Sequence, residues 1–156
     1  MKENISKHIS YKEATDSKTA KSRKIDNTPN DIQLSNMKLL AEKVFEPLRE
    51  NIANPIKVSS FFRSVALNKA IGGSSTSQHT ANNGAAMDLQ AIKGATNRDI
   101  FEYIKDNLTV DQLIYEFGDD KNPAWVHVSY KKEGNRQQIL RAVKINGKTK
   151  YVKWEE

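Results

Sequence analysis

The 156-residue chain has three histidines, at positions 8, 79 and 127, and no cysteine. Disulfides, thiolate metal sites and cysteine nucleophiles are excluded together. Any metal centre must therefore draw on His, Asp and Glu. His79 ends a Ser/Gly-rich loop that runs from Gly72 through Gln78, and Asp88 follows the small residues Ala85 and Ala86 a short way on. His127 lies inside the apolar run Trp-Val-His-Val-Ser-Tyr at 125–130. Side chains alternate along a strand, so His127 would share a face with Trp125 and Ser129, leaving Val126, Val128 and Tyr130 on the other. Two imidazoles and one carboxylate make a three-donor set that leaves a fourth zinc position open, as in a catalytic site. A zinc ion lowers the pKa of its bound water towards neutrality and so makes a nucleophile available. Each residue also has an ordinary reading: a strand histidine as a hydrogen-bonded structural residue, Asp88 as a turn or cap. Composition and spacing leave both readings open. His8, in a polar stretch, is expected to face solvent.

The elements that must position these residues follow from hydrophobic periodicity. Residues 1–30 read as a polar, extended N-terminal arm with one short ordered piece near Ile9 to Ala14, closed by the turn Asn27-Thr28-Pro29. Residues 31–156 read as the folded domain. Ile32, Met37, Leu40, Ala41, Val44, Phe45 and Leu48 recur at helical spacing, which predicts an amphipathic helix over 31–50, kinked or ended near Pro47. A short strand at 56–59 and a helix at 65–71, stopped by Gly72-Gly73, precede the loop to His79. A strand over 85–90 carries Asp88. Thr96 can cap a helix over 97–107 with Ile100, Tyr103 and Ile104 facing inward. Strands over 112–117 and 125–131 flank a loop at 118–124, and Asn146-Gly147 marks a C-terminal hairpin. Helices interrupting a mostly antiparallel sheet predict an α+β fold.

Lys and Arg number 25 against 19 Asp and Glu, a net charge of +6, and the mean hydropathy is −0.71. A basic surface suits nucleic acid, an anionic membrane or an anionic polymer such as a bacterial cell wall, and equally serves solubility alone. No zinc-finger, helix-turn-helix or RNA-binding pattern accompanies the charge, so no nucleic-acid partner is expected. No run approaches the ~18 apolar residues of a membrane helix, and no apolar stretch follows the early lysines as in a signal peptide. Synthesis in the cytoplasm, no membrane insertion and a monomeric state are the expectations.

Five segments belong together: Ser59-Ser60-Phe61-Phe62-Arg63-Ser64, Leu67 to Ser74, Ser77-Gln78-His79, Gly84-Ala85-Ala86-Met87-Asp88 and Trp125-Val126-His127. In this order they resemble the zinc D-alanyl-D-alanine carboxypeptidase family. That family includes L-alanyl-D-glutamate endopeptidases of bacteriophage endolysins and the vancomycin-resistance dipeptidases, and it shares a fold with the hedgehog signalling domain. The resemblance covers about residues 30–145 and implies a hedgehog-like peptidase fold with Zn²⁺ held by His79, Asp88 and His127. It further implies hydrolysis of peptidoglycan stem peptides at the bacterial cell wall or periplasm, with Arg63 binding a substrate carbonyl or carboxylate and Ser77 and Gln78 as further contacts. For a chain without a signal peptide, a phage lysis enzyme released by a separate pore-forming protein is the implied setting.

Two features depart from the family pattern. His79 and Asp88 are nine positions apart rather than the usual seven or so, an enlargement that a loop absorbs cheaply. The acid that many members carry three residues before the last histidine is Ala124 here. Hydrolysis still needs a group to move the proton of water, and Glu116 is the candidate, with Asp119 and Asp120 as alternates. A symmetric hairpin would pair Glu116 with Val126 and turn it away from His127; a one-residue bulge would pair it with His127. A cell-wall-binding or virion structural module of the same fold without turnover is the alternative that Ala124 favours.

Overall fold

The computed structural model describes residues 2–155. Its centre is a six-stranded sheet built from β1 (Ile56–Ser60), β2 (Ala85–Ala91), β3 (Gln112–Glu116), β4 (Trp125–Tyr130), β5 (Gln138–Ile145) and β6 (Lys148–Lys153). The spatial order is β1-β2-β4-β3-β5-β6, and every neighbouring pair is antiparallel except β3 with β5. Helices pack against one face of the sheet, and the fold is the expected α+β arrangement. Met87 and Leu89 of β2, Leu113 and Tyr115 of β3, and Val126 and Val128 of β4 point into that core with little or no exposure. The opposite face carries Asp88, His127 and Glu116.

Residues 31–52 form one long helical rod in three parts: α3 (Asp31–Leu40), a π-helical turn (Ala41–Phe45) and α4 (Glu46–Ile52). The helix predicted for 31–50 is present, and Pro47 does not end it but stands in the first turn of α4, directly after the π-helical turn. Proline has no N–H, and its ring collides with the carbonyl one turn earlier in an α-helix. Widening the preceding turn, so that the Glu46 amide donates to the Ala41 carbonyl five residues back, accommodates it. Met37, Leu40, Ala41, Val44, Phe45 and Leu48 are buried, whereas Ile32 is exposed despite its periodic spacing. Helix α5 (Val65–Ala70) is capped by Ser64, and α6 (Asn97–Asn107) opens with a capping box between Thr96 and Asp99. Ile100, Phe101 and Ile104 anchor α6 on the sheet.

The first 30 residues depart from the extended arm expected there. They fold into α1 (Tyr11–Thr15) and α2 (Lys18–Arg23), and Ile5, Ile9, Ala14 and Ala20 are buried. His8 does not simply face solvent: its Nδ1 lies 2.6 Å from Glu46 Oε1, and its amide donates to the same carboxylate. The segment also braces the chain after β1. The Phe62 amide donates to the Ala14 carbonyl, and Asn27 Nδ2 donates to the carbonyls of Thr15 and Phe62 while its Oδ1 accepts from the Ser64 amide. Arg63 is thus presented from a turn held on both sides by an asparagine more than 30 residues away.

Two glycines are required where the site-bearing strands begin and end. Gly84 (φ +78°) starts β2 with its Cα so close to the Tyr130 carbonyl that a Cβ would sit 2.4 Å from the oxygen. Gly118 (φ +73°) turns the chain immediately beyond β3, and a Cβ there would meet the Asn122 carbonyl at 2.2 Å. Among the described residues no helix is long and apolar enough to cross a membrane.

Candidate metal centre

Strand register brings two of the three candidate donors together. Asp88 is the direct cross-strand partner of His127. Residues paired across neighbouring strands point to the same face, so the carboxylate and imidazole meet: His127 Nδ1 lies 3.0 Å from Asp88 Oδ1. His79 arrives from a short 3₁₀ turn (Gln78–Thr80) and places Nε2 3.4 Å from Asp88 Oδ2. One donor atom from each of the three residues lies within 4.8 Å of the other two. Donors around a tetrahedral zinc at about 2.0–2.1 Å are ~3.3 Å apart, and the separations of 3.0 and 3.4 Å bracket that spacing. The two-residue enlargement between His79 and Asp88 therefore leaves both in reach of one ion.

The protonation states also suit a cation. His79 Nδ1 is 2.8 Å from the Phe61 carbonyl oxygen, which can only accept, so Nδ1 carries the proton and Nε2 presents its lone pair. Burial, with 4% of the residue exposed, lowers the His79 pKa and keeps the ring neutral. Burial opposes ionisation of Asp88, but its contacts with His127 and His79 outweigh it and hold the carboxyl well below the usual range. An anionic carboxylate and a neutral imidazole with a free lone pair are the forms that bind zinc.

Glu116 stands opposite Trp125, while Ile114 stands opposite His127. This is neither of the registers considered from sequence. The loop runs from Phe117 to Ala124, with Phe117 and Gly118 both at positive φ and the Ala124 amide donating to the Glu116 carbonyl. Because Trp125 and His127 share a face, Glu116 joins them there. Only 6% of Glu116 is exposed. Burial raises its pKa to about 7, with the positive field of His127 lowering it and the negative field of Asp88 raising it further.

The remaining candidates separate clearly. Arg63 Nη2 is 3.7 Å from Asp88 Oδ2, and the Arg63 amide donates to the His79 carbonyl. Arg63, Ser77, Gln78 and Glu116 line one cleft of about 880 Å³ with the three candidate donors. Ser77 Oγ accepts from the His79 amide and so shapes the turn. Gln78 Nε2 donates to the Asn83 carbonyl and to Asp111 Oδ2. Asp119 and Asp120 do not line the cleft. Asp119 Oδ1 accepts from the amides of Lys121 and Asn122, and Asp120 pairs with Arg141 at 2.8 Å. Sequence reasoning passed over Asp111, which is fully buried beneath the Gln78 side of the cleft. Burial disfavours its charge, but bonds from Arg136 and Gln78 prevail and hold its pKa at about 2.

The family model for peptidase M15 matches residues 7–129, most of the chain and every residue of the candidate centre. The chain belongs to this family. As an M15 peptidase it is a metallopeptidase, and the zinc dependence of M15 enzymes agrees with a His-Asp-His group that could bind one ion. The match begins at residue 7, so the M15 unit takes in most of the N-terminal segment as well. No curated protein matches the chain.

Proposed function

We propose that this M15 peptidase is a zinc enzyme that hydrolyses peptide bonds in bacterial peptidoglycan stem peptides, as a D-Ala-D-Ala carboxypeptidase or an L-Ala-D-Glu endopeptidase. One observation carries the reading: a buried carboxyl, Glu116, and a guanidinium, Arg63, share a cleft with the His79-Asp88-His127 group. His79 Nε2, His127 Nδ1 and an oxygen of Asp88 are the atoms that would hold the ion. Zinc bound there supplies Lewis acidity towards a peptide carbonyl and acidifies water.

The protein groups do the rest. Glu116 takes the proton of the attacking water and delivers it to the departing amine. A carboxyl whose pKa is about 7 before the ion binds is protonated for part of the time near neutrality, and a bound cation would draw it towards the basic form. Arg63 orients the substrate by donating two parallel hydrogen bonds to a carbonyl or carboxylate. Ser77 and Gln78 complete the wall on which the peptide lies. Action at the bacterial cell wall, in the setting of a phage lysis enzyme, is part of this proposal.

The test is incubation of the purified protein with muropeptides, with and without a chelator, followed by mass spectrometry of the products. A defined product that vanishes with chelator and returns with added zinc is expected, and its mass identifies the bond. Intact muropeptides under all conditions would overturn the reading.

A further inference from the structure

The family match ends at residue 129, and the chain beyond it builds β5 and β6. These strands extend the site as well as the sheet. Glu116 stands opposite Ala142 on β5, and Ala142 stands opposite Tyr151 on β6. The three share a face, and only the methyl of Ala142 separates the glutamate from the phenol. Lys144 and Thr149 form the next pair outward on that face. Lys144, Thr149 and Tyr151 all line the cleft that holds His127 and Glu116.

Lys144 differs from the other cations of the cleft. Arg63 faces Asp88 at 3.7 Å, while Lys131 and Arg136 face Asp111 at 3.8 and 2.8 Å. Lys144 has no carboxylate within ion-pair distance among the described residues, and its ammonium rests 5.8 Å from the centroid of the Phe117 ring. An aromatic face holds a cation in place without neutralising it. Tyr151 likewise has no hydrogen-bond partner for its hydroxyl among the described residues. Although the residue is 58% exposed, partial desolvation of its hydroxyl and the charges of Glu116 and Asp88 raise its pKa, so it is a neutral O–H donor. An uncompensated ammonium and a free phenolic donor on one wall are complementary to an anionic oxygen pair.

We propose that Lys144 and Tyr151 form a carboxylate-binding subsite on the Glu116 side of the metal centre. The substrate selected by it is a peptide with an acidic group about two to three residues from the scissile bond. That distance follows from strand spacings of about 4.8 Å between β4 and β6, partly spanned by the long side chains, set against ~3.3 Å per extended peptide residue. The inference takes its ligand class, a peptide, from the peptidase reading above.

The test uses the full chain loaded with zinc and carrying Glu116→Gln, so that the probe survives. Calorimetric affinities are measured for L-Ala-γ-D-Glu-L-Lys-D-Ala against two analogues, one amidated at the glutamyl α-carboxylate and one at the C-terminus. At least one acid is expected to bind about fivefold to tenfold more tightly than its amide. Adding Lys144→Met should erase that preference, Lys144→Arg should retain it, and Tyr151→Phe should reduce it, with unchanged thermal midpoints. No preference in either pair, or a preference that survives Lys144→Met, would overturn the subsite. A Lys144-dependent preference in a protein whose unsubstituted, zinc-loaded form cleaves neither these peptides nor the same peptide extended by a second C-terminal D-Ala would sink the peptidase reading and uphold the subsite.

Discussion

Glu116 and His127 occupy adjacent strands on one face of the sheet, one cross-strand pair apart, because Glu116 is paired with Trp125 and Ile114 with His127. This register puts a buried carboxyl on the same face as the candidate metal centre, in the cleft that the three candidate donors line. Glu116→Gln, which keeps shape and loses the base, is expected to lower kcat by about a hundredfold to ten-thousandfold. Zinc content should stay at the unsubstituted value. Equal loss of zinc and activity in that variant would move Glu116 from proton transfer to metal retention.

Metal stoichiometry tests the donor set directly. After dialysis against trace zinc, one equivalent per chain is expected by plasma mass spectrometry, and His79→Ala, His127→Ala and Asp88→Ala should each retain less than about a tenth of it. Loading at a hundred times Kd stabilises the fold by about 2.7 kcal/mol. For a chain of this length that corresponds to a rise in Tm of about 5–10 °C. A full equivalent of zinc in any of the three variants would remove that residue from the set.

Arg63 separates charge from shape. Arg63→Ala is expected to raise KM and lower kcat/KM by about tenfold to a hundredfold, and Arg63→Lys to restore little, because an ammonium cannot make two parallel hydrogen bonds. Recovery with lysine would mean that positive charge alone is read.

Asn27 offers a test remote from the cleft. Its amide makes three hydrogen bonds that hold the turn carrying Arg63. Asn27→Ala should cost about 2–3 kcal/mol in denaturant unfolding and raise KM while leaving zinc content intact. An unchanged KM would confine the N-terminal segment to stability.

Two carboxyls give the metal-free protein opposite pH dependences. The folded-state pKa of Asp111 is about 2, below its ordinary 3.8. The unfolded chain therefore takes up that proton first as pH falls. The stabilisation is complete above about pH 4 and disappears as pH drops towards 2. Glu116 works in the other direction. Its pKa of about 7, against an ordinary 4.5, means that the folded state holds the proton more tightly. Its contribution is present below about pH 4.5 and is lost as pH rises through 7. Urea unfolding across pH 2–8 should show the acid limb flattened by Asp111→Asn and the neutral limb flattened by Glu116→Gln.

Much of this architecture was legible in the residues. Periodicity located α3, α4 and α6, short runs of small or apolar residues located β2 and β4, and Asn146-Gly147 located the hairpin, because each signal is local. The short ordered piece expected near Ile9 to Ala14 overlaps α1, whereas α2 was missed. The two helices bury only Ala14 and Ala20, and the segment around them is secured by hydrogen bonds to distant residues such as Phe62 and Glu46. The register of Glu116 was missed for a related reason. It depends on positive φ at Phe117 and Gly118 and on an eight-residue loop, and the alternation of β3 says nothing about either. The convergence of residues 79, 88 and 127 was expected from motif resemblance, whereas Asp111 gave no signal beyond an acid at the edge of an apolar run.

The proton on His79 Nδ1 is held by a main-chain carbonyl, that of Phe61, where a side-chain carboxylate could have served. No single side-chain replacement can delete that acceptor. The tautomer of the imidazole is therefore written into the path of the backbone after the irregularity between Val58 and Ser60. Natural variation and laboratory mutagenesis can disturb it only by bending the chain there, which makes this half of the centre resistant to drift and the bulge its point of vulnerability.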